Sequence, residues 1–132
     1  MRKLFRLPCN LAMKYHIVYI GKNQAAKLLE SAGYVKMQNG IIRNISGSGL
    51  RFTSNDDLNV GDIIQCAFVL GNTAMFIKSK ILEKQHMTGA SAKFRYRVLF
   101  LDMTSETQDK IISYIFEEHL KQRKFKTEYI QS

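Results

Sequence analysis

The strongest constraint on the fold is a change of apolar period near the C-terminus. Phe94, Tyr96, Val98 and Phe100 alternate with Arg95, Arg97 and Leu99, the period of two of a strand with one buried face. Shortly afterwards Ile111, Ile112, Ile115, Phe116, His119 and Leu120 fall at i, i+1, i+4, i+5, i+8 and i+9. Only a helix brings that set to one side, and Asp109, Lys110, Glu117 and Lys121 take the opposite side. Ser105 with Gln108 three residues on is a capping-box pattern. Lys121, Arg123 and Lys124 suit the negative end of the helix dipole. The pattern predicts a helix over residues 105–124 that packs its stripe on the domain, then a flexible tail at 126–132.

Upstream, short apolar runs separated by turn residues read as further strands. Residues 11–20 are rich in β-branched and aromatic types and stop at Gly21. Residues 41–45 and 50–52 flank a tight turn at 46–49. Residues 63–70 form a near-continuous apolar run, and Gly71-Asn72 suits a tight turn before residues 74–82. There Met75, Ile77, Ser79 and Ile81 share one alternating face. Residues 22–39 read either as a short helix, with Ala25, Leu28 and Leu29 at helical spacing, or as a hairpin insertion. Many short strands followed by one helix predict a mainly β fold. The expected form is a small six-stranded antiparallel, split-barrel-like barrel, its helix over one opening, as a single domain across residues 1–125.

Composition narrows the partners. Twenty Lys and Arg against eleven Asp and Glu give a net charge of +9, which favours a polyanion: a nucleotide, a nucleic acid or an anionic membrane face. No apolar stretch approaches the roughly 18 residues of a membrane span. No secretory leader pattern is present, so the expected location is cytoplasmic. Cys9 and Cys66 have no metal-ligand spacing and lie in apolar runs, so buried, reduced thiols are expected. No nucleophile–base grouping or phosphate-cradling glycine loop occurs. The expectation is a non-enzymatic protein with no metal and no cofactor.

Two short motifs carry anion chemistry. The first is Arg2-Lys3-Leu4-Phe5-Arg6, an R-x-x-x-R element. Its two guanidinium groups share a side in a strand and again on a helical turn, so both converge on one ligand. Guanidinium forks suit phosphate oxygens and the N7/O6 edge of guanine, and their flat faces stack on bases. The second motif is Asn44-Ile45-Ser46-Gly47-Ser48-Gly49, an N-x-S-x-x-G turn. Its glycines permit close backbone approach, and Asn44 and Ser46 add short hydrogen-bonding groups.

In this order on a β-rich domain, the motifs resemble those of the PilZ family of cyclic di-GMP receptors, in particular the C-terminal domain of flagellar-brake proteins. The resemblance spans roughly residues 2–123. It includes the ending Arg97-Val98-Leu99-Phe100-Leu101-Asp102-Met103 before the helix, and residues 22–39 form a longer segment than the family pattern has. It implies that Arg2 and Arg6 contact phosphate and base faces, that Asn44, Ser46 and Gly49 contact a base edge, and that Lys3, Gly47 and Ser48 lie nearby. It also implies cyclic di-GMP as a regulatory ligand, a protein partner or linked domain, and outputs in motility, biofilm or exopolysaccharide. The fuller family motif opens with two adjacent arginines, and Met1 occupies the first of these positions, which leaves ligand stoichiometry open. Two alternatives also stay open: a basic β-barrel nucleic-acid-binding module, and a PilZ-like adaptor that binds no dinucleotide. His119 reads as a packed side chain, Asp56-Asp57 as a solvated loop, and the basic cluster at 121–126 as a helix terminus.

Overall fold

In the computed structural model, which describes residues 6–19 and 36–131, the alternating apolar positions of the strands point into one core. The elements are β1 (Arg6–Tyr19), β2 (Gln38–Ser46), β3 (Gly49–Ser54), β4 (Ile63–Leu70), β5 (Thr73–His86), β6 (Phe94–Phe100) and α1 (Ser105–Gln131). Every strand pairing is antiparallel, and the barrel closes in the order β1-β2-β3-β6-β5-β4 with β4 returning to β1. The expected six-stranded barrel with one C-terminal helix is therefore the observed architecture. The segment at 22–39 lies mostly outside the described residues, and only its end at Gln38 joins β2.

Inside, Phe94, Tyr96, Val98 and Phe100 of β6 face Ile64, Cys66, Phe68 and Leu70 of β4 and the alternating set of β5. Tyr15, Phe52 and Tyr96 stack through the centre, with ring centroids 5.2 and 5.1 Å apart along the series. Two tyrosine hydroxyls are thereby buried and need partners. Tyr15 donates to the Asp56 carboxylate at 2.7 Å and lies 2.6 Å from Ser54 Oγ. Tyr96 donates to the Asp56 carbonyl at 2.5 Å and accepts from the Leu58 N–H at 2.8 Å. The Asp56-Asp57 loop is thus only half solvated. Asp57 is exposed and pairs with Lys84, whereas Asp56 is partly buried and accepts from Tyr15 and Tyr96.

Cys66 is fully buried, and burial pushes its thiol up to about 12. Cys9 is only partly buried, and desolvation raises its thiol to about 11. Both are free thiols.

Three boundaries differ from the expectation. Strand β1 begins at Arg6 rather than Leu11, because a bulge between Pro8 and Leu11 lets it absorb a proline and continue pairing with β2. Helix α1 is capped one residue earlier than the capping box implied. Thr104 Oγ1 accepts from the Thr107 N–H at 3.1 Å, and Gln108 turns elsewhere. The helix also continues to Gln131, past the limit near 124, over much of the expected tail.

Helix α1 packs on β1 and β2. Ile111 and Ile115 are fully buried in the barrel core, each burial contributing about 1.5–3 kcal/mol. The second half of the apolar stripe does not follow. Phe116 is 59% and Leu120 46% exposed, so the packed side of the helix is narrower than its apolar side.

Candidate anion-binding site

The β2–β3 turn is built from its own side chains. Ser46 Oγ donates to the Gly49 carbonyl at 3.2 Å and lies 3.4 Å from the Ser48 N–H, which it accepts. Such a serine turn replaces backbone pairing where the chain reverses. Gly49 is required by packing: a Cβ there would stand 2.1 Å from the Val98 carbonyl oxygen on β6. Gly47 lies under the helix, where a Cβ would meet Ile112 Cγ1 at 3.1 Å. Of the four motif residues Ser46 to Gly49, only Ser48 is well exposed.

Strand register brings the first motif to the second. Arg6 pairs with Ser46 across β1 and β2, and Pro8 with Asn44. Arg6, Asn44, Ser46, Ser48 and Gly49 therefore line one surface cleft. The cleft holds about 60 Å³, too little to enclose a nucleotide. Arg2 and Lys3 fall outside the described residues.

The far wall of the cleft comes from residues that the motifs did not flag. Arg51, Arg97 and Leu99 complete it. The register makes Asn44, Arg51 and Arg97 one lateral row, since Asn44 pairs with Arg51 and Arg51 with Arg97. Directly paired residues on one face stand about 5 Å apart, so the row spans roughly 10 Å. Its signal was present in the sequence: Arg51 lies two residues beyond Gly49, and Arg97 holds an outward place in the cleanest alternation of the chain.

The cleft is strongly cationic. Among the described residues neither Arg6 nor Arg51 forms an ion pair. Arg97 does, through Nη2 to Glu83 Oε1 at 2.8 Å. That hydrogen bond raises the Arg97 guanidinium and holds the Glu83 carboxyl below the usual range, with Arg51 adding a smaller pull on Glu83. Arg6, Arg51 and Arg97 line the cleft, and of the three only Arg97 is ion-paired, an excess of guanidinium groups that suits an anion. Among the described residues no group of three or more His, Cys, Asp or Glu side chains is placed to hold a metal.

Helix α1 touches both halves of the cleft. Gln108 Nε2 donates to the Gly47 carbonyl at 3.2 Å. Further along, His119 Nε2 donates to the Arg6 carbonyl at 2.6 Å, a carbonyl being able only to accept. His119 is thus more than a packed side chain. It ties the helix to the strand end that carries Arg6.

Comparison with known proteins bears on the fold and the family. The family model described as the PilZ domain matches residues 24–117, leaving β1 and Arg6 outside the match. None of the curated proteins matches the chain. Among solved structures, the chain resembles Escherichia coli YcgR in complex with c-di-GMP, with a TM-score of 0.69 and 12% identity over 95% of this chain and 49% of that one. It also resembles the Bacillus subtilis inhibitor of motility MotI/DgrA, with a TM-score of 0.67 and 12% identity over 90% of this chain and 51% of that one. The chain spans about half the length of these two proteins. A tetrameric PilZ domain protein from Xanthomonas campestris is similar over 92% of both chains, with a TM-score of 0.64 and 12% identity. At such identity the structural likeness establishes the fold, and the family match assigns the membership. The chain belongs to the PilZ domain family.

Proposed function

We propose that this domain is a non-enzymatic receptor for cyclic di-GMP. The observation that carries the reading is the pairing of Arg6 with Ser46, which joins the R-x-x-x-R and N-x-S-x-x-G elements at one cationic cleft. Arg6, with Arg2 and Lys3 before it, takes the phosphates. Asn44, Ser46 and Ser48 face a guanine edge, while Gly49 keeps β3 close enough to β6 to shape the cleft floor. Arg51 and Arg97 add forks suited to guanine N7/O6 and flat faces suited to stacking.

Ligand binding reaches the rest of the molecule through α1, which is hydrogen-bonded to the Gly47 and Arg6 carbonyls. A change at either strand end alters the seat of the helix and the exposed Phe116 and Leu120. That surface is the output toward a protein partner or linked domain. Motility is the favoured output class, because one structural neighbour is the Bacillus subtilis inhibitor of motility. The cytoplasm is the proposed location, and among the described residues no helix is long and apolar enough to cross a membrane.

Calorimetric titration of the full chain with cyclic di-GMP tests the reading. Saturable heat at micromolar ligand is the expected result. Absence of heat at tens of micromolar overturns the reading and leaves the adaptor alternative. Salt-sensitive retention of RNA or DNA of any sequence, with no dinucleotide binding, favours the nucleic-acid alternative instead.

A further inference from the structure

Strand β5 carries a carboxylate where strict alternation would not expose one. Met75, Ile77, Ser79 and Ile81 all point inward, and continued alternation would turn Glu83 inward as well. The register instead steps from Ile81 opposite Val98 to Glu83 opposite Arg97, two residues on β5 against one on β6. This is a bulge, with Leu82 as the extra residue. It reverses the phase of the strand, brings Glu83 out on the face of Arg97 and extends the lateral row to Asn44, Arg51, Arg97 and Glu83. The result is the 2.8 Å ion pair at the edge of the cleft.

We propose that Glu83 is a built-in competitor for the anionic ligand, occupying Arg97 until the ligand displaces it. The Arg97 fork is planar and suits one bidentate acceptor at a time. Glu83 already takes a donor of Nη2, so a phosphate or a guanine edge entering from the cleft has to share or replace that bond. Glu83 is exposed and Arg97 partly so, and an ion pair open to solvent is weak enough to be exchanged. Glu83 also lowers the positive potential set by Arg51 and Arg97. It therefore raises the ligand concentration needed for occupancy without closing the site. That the natural anion is cyclic di-GMP rests on the proposed function. The competition itself rests only on the cleft.

The test compares the full chain with Glu83→Gln, using two probes, cyclic di-GMP and inorganic pyrophosphate. Glu106→Gln, an equal charge change on the exposed face of α1, is the control. Calorimetry gives the affinities, and the Arg97 side-chain N–H resonance in NMR reports whether the anion reaches that guanidinium. Losing one exposed pairing of this kind converts to roughly a two- to fivefold gain in affinity for Glu83→Gln. The control stays at the wild-type value, and the Arg97 resonance moves on anion addition. Equal or weaker anion binding by Glu83→Gln overturns the proposal, since a carboxylate that merely braces Arg97 would be missed when removed. Pyrophosphate bound more tightly by the variant, with no cyclic di-GMP binding by either protein, supports the competition and removes only the dinucleotide reading. No binding of either anion to either protein overturns both.

Discussion

Replacing Gly49 by Ala is the sharpest test of how the β2–β3 turn is held. The new Cβ would lie 2.1 Å from the Val98 carbonyl oxygen and 3.2 Å from its carbon. The obstruction is backbone, so no side-chain rotation relieves it, and β3 has to move by more than about 1 Å to restore ordinary contact. That movement strains or breaks the adjoining Phe100 N–H to Ser48 carbonyl bond at 2.9 Å, a loss of about 1 kcal/mol. It also loosens Leu50 and Val98, a pair buried directly behind the turn. Overpacking of this kind costs about 1–3 kcal/mol. Together the destabilisation is roughly 2–4 kcal/mol. Urea denaturation followed by circular dichroism measures it as a lower midpoint at unchanged slope. A Gly49→Ala protein within about 0.5 kcal/mol of wild type, the usual range for an innocuous surface change, would show that the β3–β6 contact does not require glycine. The result also bears on binding, because ligand lost in this variant reports on the shape of the turn and gives no evidence that glycine touches the ligand.

Removing the helix tether with His119→Ala is expected to cost about 1 kcal/mol and to speed amide exchange at the start of β1 and in the second half of α1, leaving β4–β5 protected; uniform exchange would contradict a local tether. The buried tyrosines make stability fall at alkaline pH. Burial raises Tyr15 and lifts Tyr96 to about 12, so the folded chain holds these protons after the unfolded chain has lost them. The stabilisation is complete below pH of about 10 and declines as pH rises from about 10 toward 12. Tyr15→Phe should flatten that decline in a pH series of thermal melts, and an unchanged profile would count against the buried Tyr15–Ser54–Asp56 network.

Much of the fold was legible because local patterns and tertiary demands coincide. The alternation in β6, the Gly71-Asn72 turn and the stripe through Ile111 and Ile115 each match the element that uses them. The candidate cleft was legible in part, through Arg6 and the motif at residues 44–49, but its far wall was not. Arg51 and Arg97 become neighbours of Asn44 only through the register of three strands, and register depends on pairings distant in sequence. Glu83 was hidden by a bulge, which shifts the phase of a strand without altering its composition. The cap moved to Thr104 because Gln108 hydrogen-bonds across to Gly47, a long-range partner that no local box describes. Phe116 and Leu120 show the opposite limit: a helical stripe identifies what is able to pack, while the barrel rim decides how much of it finds a surface.

In the proposed receptor, one anion bridges Arg6 and Arg97 over the β2–β3 turn. Titrating cyclic di-GMP into the full chain, Arg6→Ala, Arg97→Ala and the control Lys110→Ala tests it most directly. Loss of a charge-assisted hydrogen bond removes about 1.5–3 kcal/mol, so each arginine variant should bind at least roughly tenfold more weakly, with Lys110→Ala unchanged. Wild-type affinity retained by both arginine variants, or no binding by the wild-type chain, would contradict such a bridge.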